Sequence, residues 1–172
     1  MYLGAFALGW LGARARAKNP LSPIPSARLD DLVFYVALGV ILGGRVGYML
    51  FYNFAGLIEN PLNLFKVWEG GMSFHGGLLG VIVSIFLFSK KTKTSFFKYS
   101  DVVACVAPIG IFLGRIANFI NGELYGKIST LPWAVIFPSG GNIARHPSQI
   151  YEAILEGLIL FILINFLALK KH

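Results

Sequence analysis

Apolar residues run along this chain in long stretches separated by polar or glycine- and proline-rich clusters, not in the narrow stripes of a water-soluble helix. Run length and helical periodicity predict five apolar spans, at residues 1–13, 32–52, 72–89, 102–121 and 148–169. A helix needs roughly 20 apolar residues to cross the hydrocarbon of a bilayer. The last four spans approach that length. The first reads as the second half of a helix, and Lys170-Lys171-His172 stops at a span boundary, so the chain is expected to be a fragment. The fold class expected is all-α, a polytopic transmembrane protein forming one integral membrane domain over residues 1–172, with an arm at 54–71 and a cap at 122–147. Pro20, Pro23 and Pro25 make the link from Pro20 to Asp31 an extended connection, because each proline lacks a donor and disfavours helix before it.

Composition agrees with this reading. Hydrophobic residues make up 56% of the chain and charged residues 13%, against roughly 45–50% and 25% in a soluble domain. Intrinsic disorder and a water-soluble globule are excluded, and a single cysteine, Cys105, excludes a disulfide framework. The chain holds 15 Lys and Arg against 8 acids, a net charge of +7. In a soluble protein that excess suggests nucleic acid, but here its placement argues for a membrane and no nucleic-acid partner. Ten of the 15 basic residues fall in alternate inter-span tracts: Arg14, Arg16, Lys18, Arg28, Lys90, Lys91, Lys93, Lys98, Lys170 and Lys171. Basic loops are retained in the cytoplasm, which predicts a multi-pass membrane protein with the arm and cap on the outer side.

Glycines recur at spacing four, as Gly39, Gly43 and Gly47, as Gly76 and Gly80, as Gly110 and Gly114, and as Gly122 and Gly126. In lipid such spacing serves close helix packing. Gly44, Gly76 and Gly77 flank polar residues, where a ligand could approach the backbone.

The informative positions are those expensive to keep in lipid, since an arginine at the centre of a span costs at least about 2.5–3.5 kcal/mol. Arg45, followed by Tyr48, and Arg115 both lie inside predicted spans, toward the predicted outer end. Each either grips an anion or forms a structural pair with Glu152 or Glu156, two acids placed on one helix face by their spacing of four. Asn118, Asn121 and Glu123 follow Arg115 closely, giving one helix end a guanidinium, two amides and a carboxylate suited to an anionic, polyol-bearing ligand. His75 opens the third span beside Gly76 and Gly77, where free N–H groups and an imidazole could serve an anion or a proton. His146 reads as a structural cap of the fifth span, with Ser148 as a possible helix cap. Histidines are scattered without metal-ligand spacing, and nucleophile-elbow, phosphate-loop and dinucleotide motifs do not occur, so no metal, cofactor or protein nucleophile is expected.

The run Gly114-Arg115-Ile116-Ala117-Asn118-Phe119-Ile120-Asn121-Gly122-Glu123-Leu124-Tyr125-Gly126 resembles the signature of the prolipoprotein diacylglyceryl transferases at every fixed position. The resemblance extends to Gly43–Tyr48, Gly70–Gly77 and Arg145–Glu152, and so to practically the whole chain. It implies a transferase that moves the diacylglyceryl group of phosphatidylglycerol to the lipobox cysteine of a prolipoprotein signal peptide. It also implies that Arg115 binds the lipid headgroup, that His75 lies in the catalytic motif, and that Asn118, Glu123 and Gly126 support the site. Family members carry further helices, one with another functional arginine, for which this chain has no positions. Residues and resemblance together, the latter implying the bacterial inner membrane with the site toward the periplasm, lead to the expectation that His75 and Arg115 are catalytic. Arg115, Arg45, Asn118, Asn121, Glu123 and, by the resemblance, Gly126 are expected to bind substrate, supported by Gly76, Gly77, Tyr48 and Glu152. Two other readings remain: a lipid or polyol transporter, for which inverted repeats are wanted and not seen, and a structural subunit whose arginines only pair with the glutamates.

Overall fold

A computed structural model describes residues 2–18 and 24–170. Its helices are α1 (Tyr2–Ala17), α2 (Leu29–Phe51), α3 (Phe54–Glu59), α4 (Phe74–Thr92), α5 (Phe96–Asn121), α6 (Ser148–Glu152) and α7 (Leu160–Lys170), with a π turn over Ala153–Ile159 joining the last two. Two short strands, β1 (Val135–Ile136) and β2 (Ala144–Arg145), pair antiparallel in the cap. The all-α membrane class holds. Among the described residues, four helices are long and apolar enough to cross a bilayer: α2, α4, α5 and the stretch Ser148–Ala168. Helix α1, at 16 residues, rises about 24 Å, short of the roughly 30 Å hydrocarbon core.

Element ends shift from the expected ones for local reasons. Helix α2 starts at Leu29 because Asp30 and Asp31 occupy its first turn, where carboxylates offset the positive end of the helix dipole. The extended link therefore covers less than expected; its residues 20–23 lie outside the described part, and Ser26–Arg28 forms a 3-10 turn. Helix α4 begins after Ser73, whose Oγ accepts the Gly76 N–H at 3.2 Å. It runs on to Thr92 so that Lys90 and Lys91 sit at its negative end. Pro147, not Ser148, precedes α6, and the Ser148 hydroxyl instead donates to the Leu124 carbonyl at 3.0 Å.

The chain divides into two compact units, residues 23–100 and residues 1–22 with 101–172. In the first, α2 and α4 pack through glycines. A Cβ at Gly39 would lie 2.5 Å from the Gly80 carbonyl oxygen, one at Gly43 2.8 Å from the Gly80 Cα, and one at Gly47 2.7 Å from the Gly76 Cα. The backbones are thus in direct contact, which supplies dispersion energy that lipid cannot match. Gly76 is spent on this contact, so the expected approach of a ligand to its backbone does not occur there. At the basic end of this unit the buried Phe88 and Tyr99 rings meet edge to face at 4.9 Å, and the Tyr99 hydroxyl donates to Thr92.

In the second unit α1 lies against α5, with Gly12 facing Val106 and Ile109. Asn165 donates to the Cys105 carbonyl at 2.9 Å and accepts from Arg16 at 3.1 Å. The pair Gly122 and Gly126 serves no helix contact: Gly122 ends α5 in a left-handed conformation (φ +67°), and Gly126 packs on His146 in the cap. On every spanning helix large apolar side chains point outward, among them Phe34, Leu42, Leu79, Val83, Leu155 and Leu167. A surface of this kind requires lipid as its solvent.

Adding a methyl group at the helix contact is expected to separate α2 from α4. Gly43→Ala and Gly80→Ala should each destabilise by about 1–3 kcal/mol in denaturant titrations in micelles. Gly110→Ala, where a Cβ meets nothing within 4 Å, should lose nothing and gain up to about 1 kcal/mol of helix propensity.

Candidate active site

The signature run forms the end of α5 and the turn after it. Gly122 N–H bonds to the Phe119 carbonyl at 3.1 Å and Glu123 N–H to the Asn118 carbonyl at 3.0 Å, the paired bonds of a Schellman ending. Only glycine adopts the positive φ this needs without strain. The turn folds Glu123 back over the last helical turn, where one carboxylate oxygen, Oε1, accepts from Asn118 Nδ2 at 3.0 Å and Asn121 Nδ2 at 3.2 Å. Those two amide bonds hold the Glu123 carboxyl below the usual carboxylate range. The two amides expected to face a ligand are therefore committed to Glu123, and the second carboxylate oxygen is the open one.

The same turn sets the register of the last helix. The Glu123 carbonyl accepts from Gln149 Nε2 at 2.7 Å, and the Leu124 carbonyl accepts from Ser148. One turn further on, Glu152 Oε2 stands 2.8 Å from Arg115 Nε. The pair is part-open, with the Arg115 side chain 31% exposed and that of Glu152 36%. Arg115 spends Nε on this partner, and no hydrogen bond joins its terminal nitrogens to a described residue other than Glu152. The guanidinium is thus held at its edge by one acid, the disposition that leaves N–H donors for a phosphate. The expected second acid, Glu156, is exposed and forms no ion pair among the described residues.

The cap is stapled to α6 by a chain of polar groups that the sequence did not announce. Trp133 Nε1 donates to the Tyr151 hydroxyl at 2.7 Å, and that hydroxyl stands 3.2 Å from His146 Nδ1. The hydroxyl accepts from the indole and meets His146 Nδ1 as donor or acceptor according to the imidazole tautomer. Gly126, expected to touch substrate, closes the cap instead: its N–H donates to the His146 carbonyl at 2.9 Å, and a Cβ would lie 2.9 Å from His146 Cβ.

In the other unit Arg45 is 4% exposed and bonded entirely to backbone. Nε donates to the Leu64 carbonyl at 3.3 Å, Nη2 to Asn63 at 2.5 Å, and Nη1 to Gly70 and Gly71. Positive φ at Gly70 (+81°) and Gly71 (+78°) turns these carbonyls inward. The Tyr48 ring lies 5.8 Å from the guanidinium and covers Gly71. All three nitrogens of Arg45 donate to backbone carbonyls, four bonds in all, which makes it the anchor of the 60–71 arm. His75, in the first turn of α4, is exposed; its ring meets Phe74 edge to face at 5.6 Å and makes no hydrogen bond among the described residues. Gly77 is buried, with the Val40 carbonyl oxygen 3.7 Å from where a Cβ would stand. Among the described residues no cluster of His, Cys, Asp and Glu could hold a metal.

Sequence reasoning passed over Gln149, which is fully buried, and Gly157, which packs on α5. A glutamine at the mouth of an apolar span was the available signal for the first. The second depends on a helix distortion that periodicity does not show.

Four helices long and apolar enough to cross a bilayer, among the described residues, define this as a polytopic membrane protein. The chain belongs to the prolipoprotein diacylglyceryl transferase family, whose sequence profile matches residues 1–172. It is 52% identical over 170 residues to the phosphatidylglycerol–prolipoprotein diacylglyceryl transferase of Coxiella burnetii (strain RSA 331 / Henzerling II), covering 99% of this chain and 65% of that one. The enzyme of that name from Methylococcus capsulatus is 50% identical over 172 residues, covering 99% and 66%. That from Solidesulfovibrio magneticus is 52% identical over 174 residues, covering 100% and 66%. The chain thus spans about two thirds of the length of these relatives.

Two outcomes follow from this geometry. Arg45→Ala strands four carbonyl acceptors, so the 60–71 arm should loosen and limited proteolysis at Lys66 should accelerate while helix content holds. Because the folded Glu123 carboxyl is depressed, its latch contributes above the ordinary carboxylate range and is lost as pH falls through the lowered midpoint. Asn118→Ala or Asn121→Ala should move that midpoint upward, read from the carboxyl carbon shift in an NMR titration.

Proposed function

We propose that this chain carries the lipid-handling part of a phosphatidylglycerol–prolipoprotein diacylglyceryl transferase of the bacterial inner membrane, forming one integral membrane domain with its arm and cap on the periplasmic side. The single observation that carries the reading is Arg115: a guanidinium in a membrane helix, tethered through Nε to Glu152, with its terminal nitrogens bonded to no other described residue. An anchor of that kind suits the phosphodiester of a lipid that arrives laterally through the bilayer. The names of the relatives supply the donor and acceptor, phosphatidylglycerol and a prolipoprotein.

The reaction is an exchange of bonds at one glyceryl carbon. The lipobox cysteine thiol loses its proton, its sulfur forms the new S–C bond, and the C–O bond to phosphate breaks, releasing glycerol phosphate with the electron pair on oxygen. A free thiol ionises only near pH 8.5, so a base near neutrality is required, and His75, exposed and uncommitted, takes that role. Arg115 stabilises the charge that grows on the departing phosphate. Glu152 orients Arg115, while Glu123 with Asn118 and Asn121 offers its open oxygen to a glycerol hydroxyl. Arg45 and Tyr48 act from the arm as positioning residues, and Gly76, Gly77 and Gly126 act through packing. No cofactor or metal enters, because the phosphoester is itself the leaving group. A transporter has no need of a free base, and a scaffold has no need of an open guanidinium edge.

The test is transfer of label from phosphatidylglycerol to a lipobox peptide by the intact protein in membranes. Arg115→Ala should lower the rate by about 100-fold or more with insertion unchanged, and Arg115→Lys should recover little because the bidentate fork is gone. His75→Gln should lower the rate by about 100-fold or more. Retained transfer in the first case refutes the anchor, and in the second the base.

A further inference from the structure

The spacing of Glu152 and Glu156 places both acids on one face of an α-helix, yet only Glu152 meets Arg115. The cause is the π turn Ala153–Ile159, within which the Leu160 N–H reaches back five residues to the Leu155 carbonyl. Closing at i+5 advances the register by one residue, so that Gly157 stands at the α5-facing position one turn beyond Glu152 that an α-helix would give to residue 156. Residue 157 is glycine, and it is buried against the α5 backbone: a Cβ there would lie 2.6 Å from Phe112 Cβ and 2.8 Å from Phe112 Cα. On α5, Phe112 and Arg115 are three apart and share a face. The two helices therefore touch at two levels, Arg115 with Glu152 and, one turn deeper, Phe112 with Gly157.

We infer that the π turn and Gly157 form a positioning device that seats Glu152 on Arg115 while withdrawing Glu156, so that the guanidinium meets one carboxylate instead of two. This rests on the reading of Arg115 as a phosphate anchor. With one acid the pair is neutral, and an incoming phosphate meets open N–H donors. With two, the local charge is negative before the lipid arrives, and the second carboxylate competes for the terminal nitrogens. Gly157 is a positioning residue: its missing side chain lets the helices approach closely enough for the short Glu152 contact.

Disulfide cross-linking in membranes, with Cys105 replaced by Ser, reads the register without any lipid substrate. Arg115→Cys should couple with Glu152→Cys but not with Glu156→Cys. Equal coupling of the two pairs would overturn the proposal. Glu156→Gln in the intact protein should leave transfer from phosphatidylglycerol within about twofold; a larger gain shows the second acid competing at the guanidinium and overturns the proposal. If the parent itself shows no transfer, the enzymatic reading fails, while the cross-links still decide the register.

Discussion

A guanidinium cannot be left bare in hydrocarbon, and this chain satisfies two of them by opposite means. Arg45 is surrounded by carbonyls of its own arm, with Nε, Nη1 and Nη2 all donating and a tyrosine ring alongside. The result is a closed knot that ties an irregular segment to a membrane helix, where backbone polar groups without partners would each cost several kcal/mol. Arg115 receives a single carboxylate on one edge. Four bonds to its own arm make the first an anchor for structure, whereas the second, part-exposed and held by one carboxylate, is the one proposed to meet a ligand. The remaining packing can be understood as the scaffolding for these two solutions.

That scaffolding relies on the absence of side chains. Gly39, Gly43 and Gly47 let α4 lie against the backbone of α2, with Ser73 capping α4 immediately before the uncommitted His75. Gly122 permits the Schellman ending that turns Glu123 over Asn118 and presents two carbonyls to Ser148 and Gln149. Those bonds set where α6 begins, and hence where Glu152 falls. A chain of backbone requirements, each met by a particular residue type, thus leads from a helix ending to an ion pair.

Much of this was legible in the sequence for a physical reason: burial in lipid is expensive enough to leave few uses for a polar residue. The span positions follow from hydropathy, and the Arg115–Glu152 pair follows from the shortage of counter-ions within spans. The division of labour between the arginines was not legible, because Arg45 is satisfied by main-chain carbonyls of residues 63–71 and carbonyls have no letter in a sequence. Asn118 and Asn121 were placed correctly near Glu123 but assigned to a ligand, since nothing in their spacing reveals that the turn after them reverses. Glu156 forms no ion pair among the described residues because the π turn advances the register by one residue and puts Gly157 on the α5-facing position instead.

Charge balance gives the open edge of Arg115 its meaning. Paired with Glu152 it contributes no net charge, so a phosphodiester bound there is not drawn by an unscreened cation, which in hydrocarbon would attract any anion and be costly to maintain. It is bound by directed N–H donors whose orientation is fixed beforehand by the carboxylate. Such donors stabilise a phosphate more as its charge grows, because hydrogen bonds to ions strengthen with the charge they meet. On the proposed reading, an arrangement of this kind would favour the departing phosphate over the resting lipid, which is the differential that accelerates a transfer.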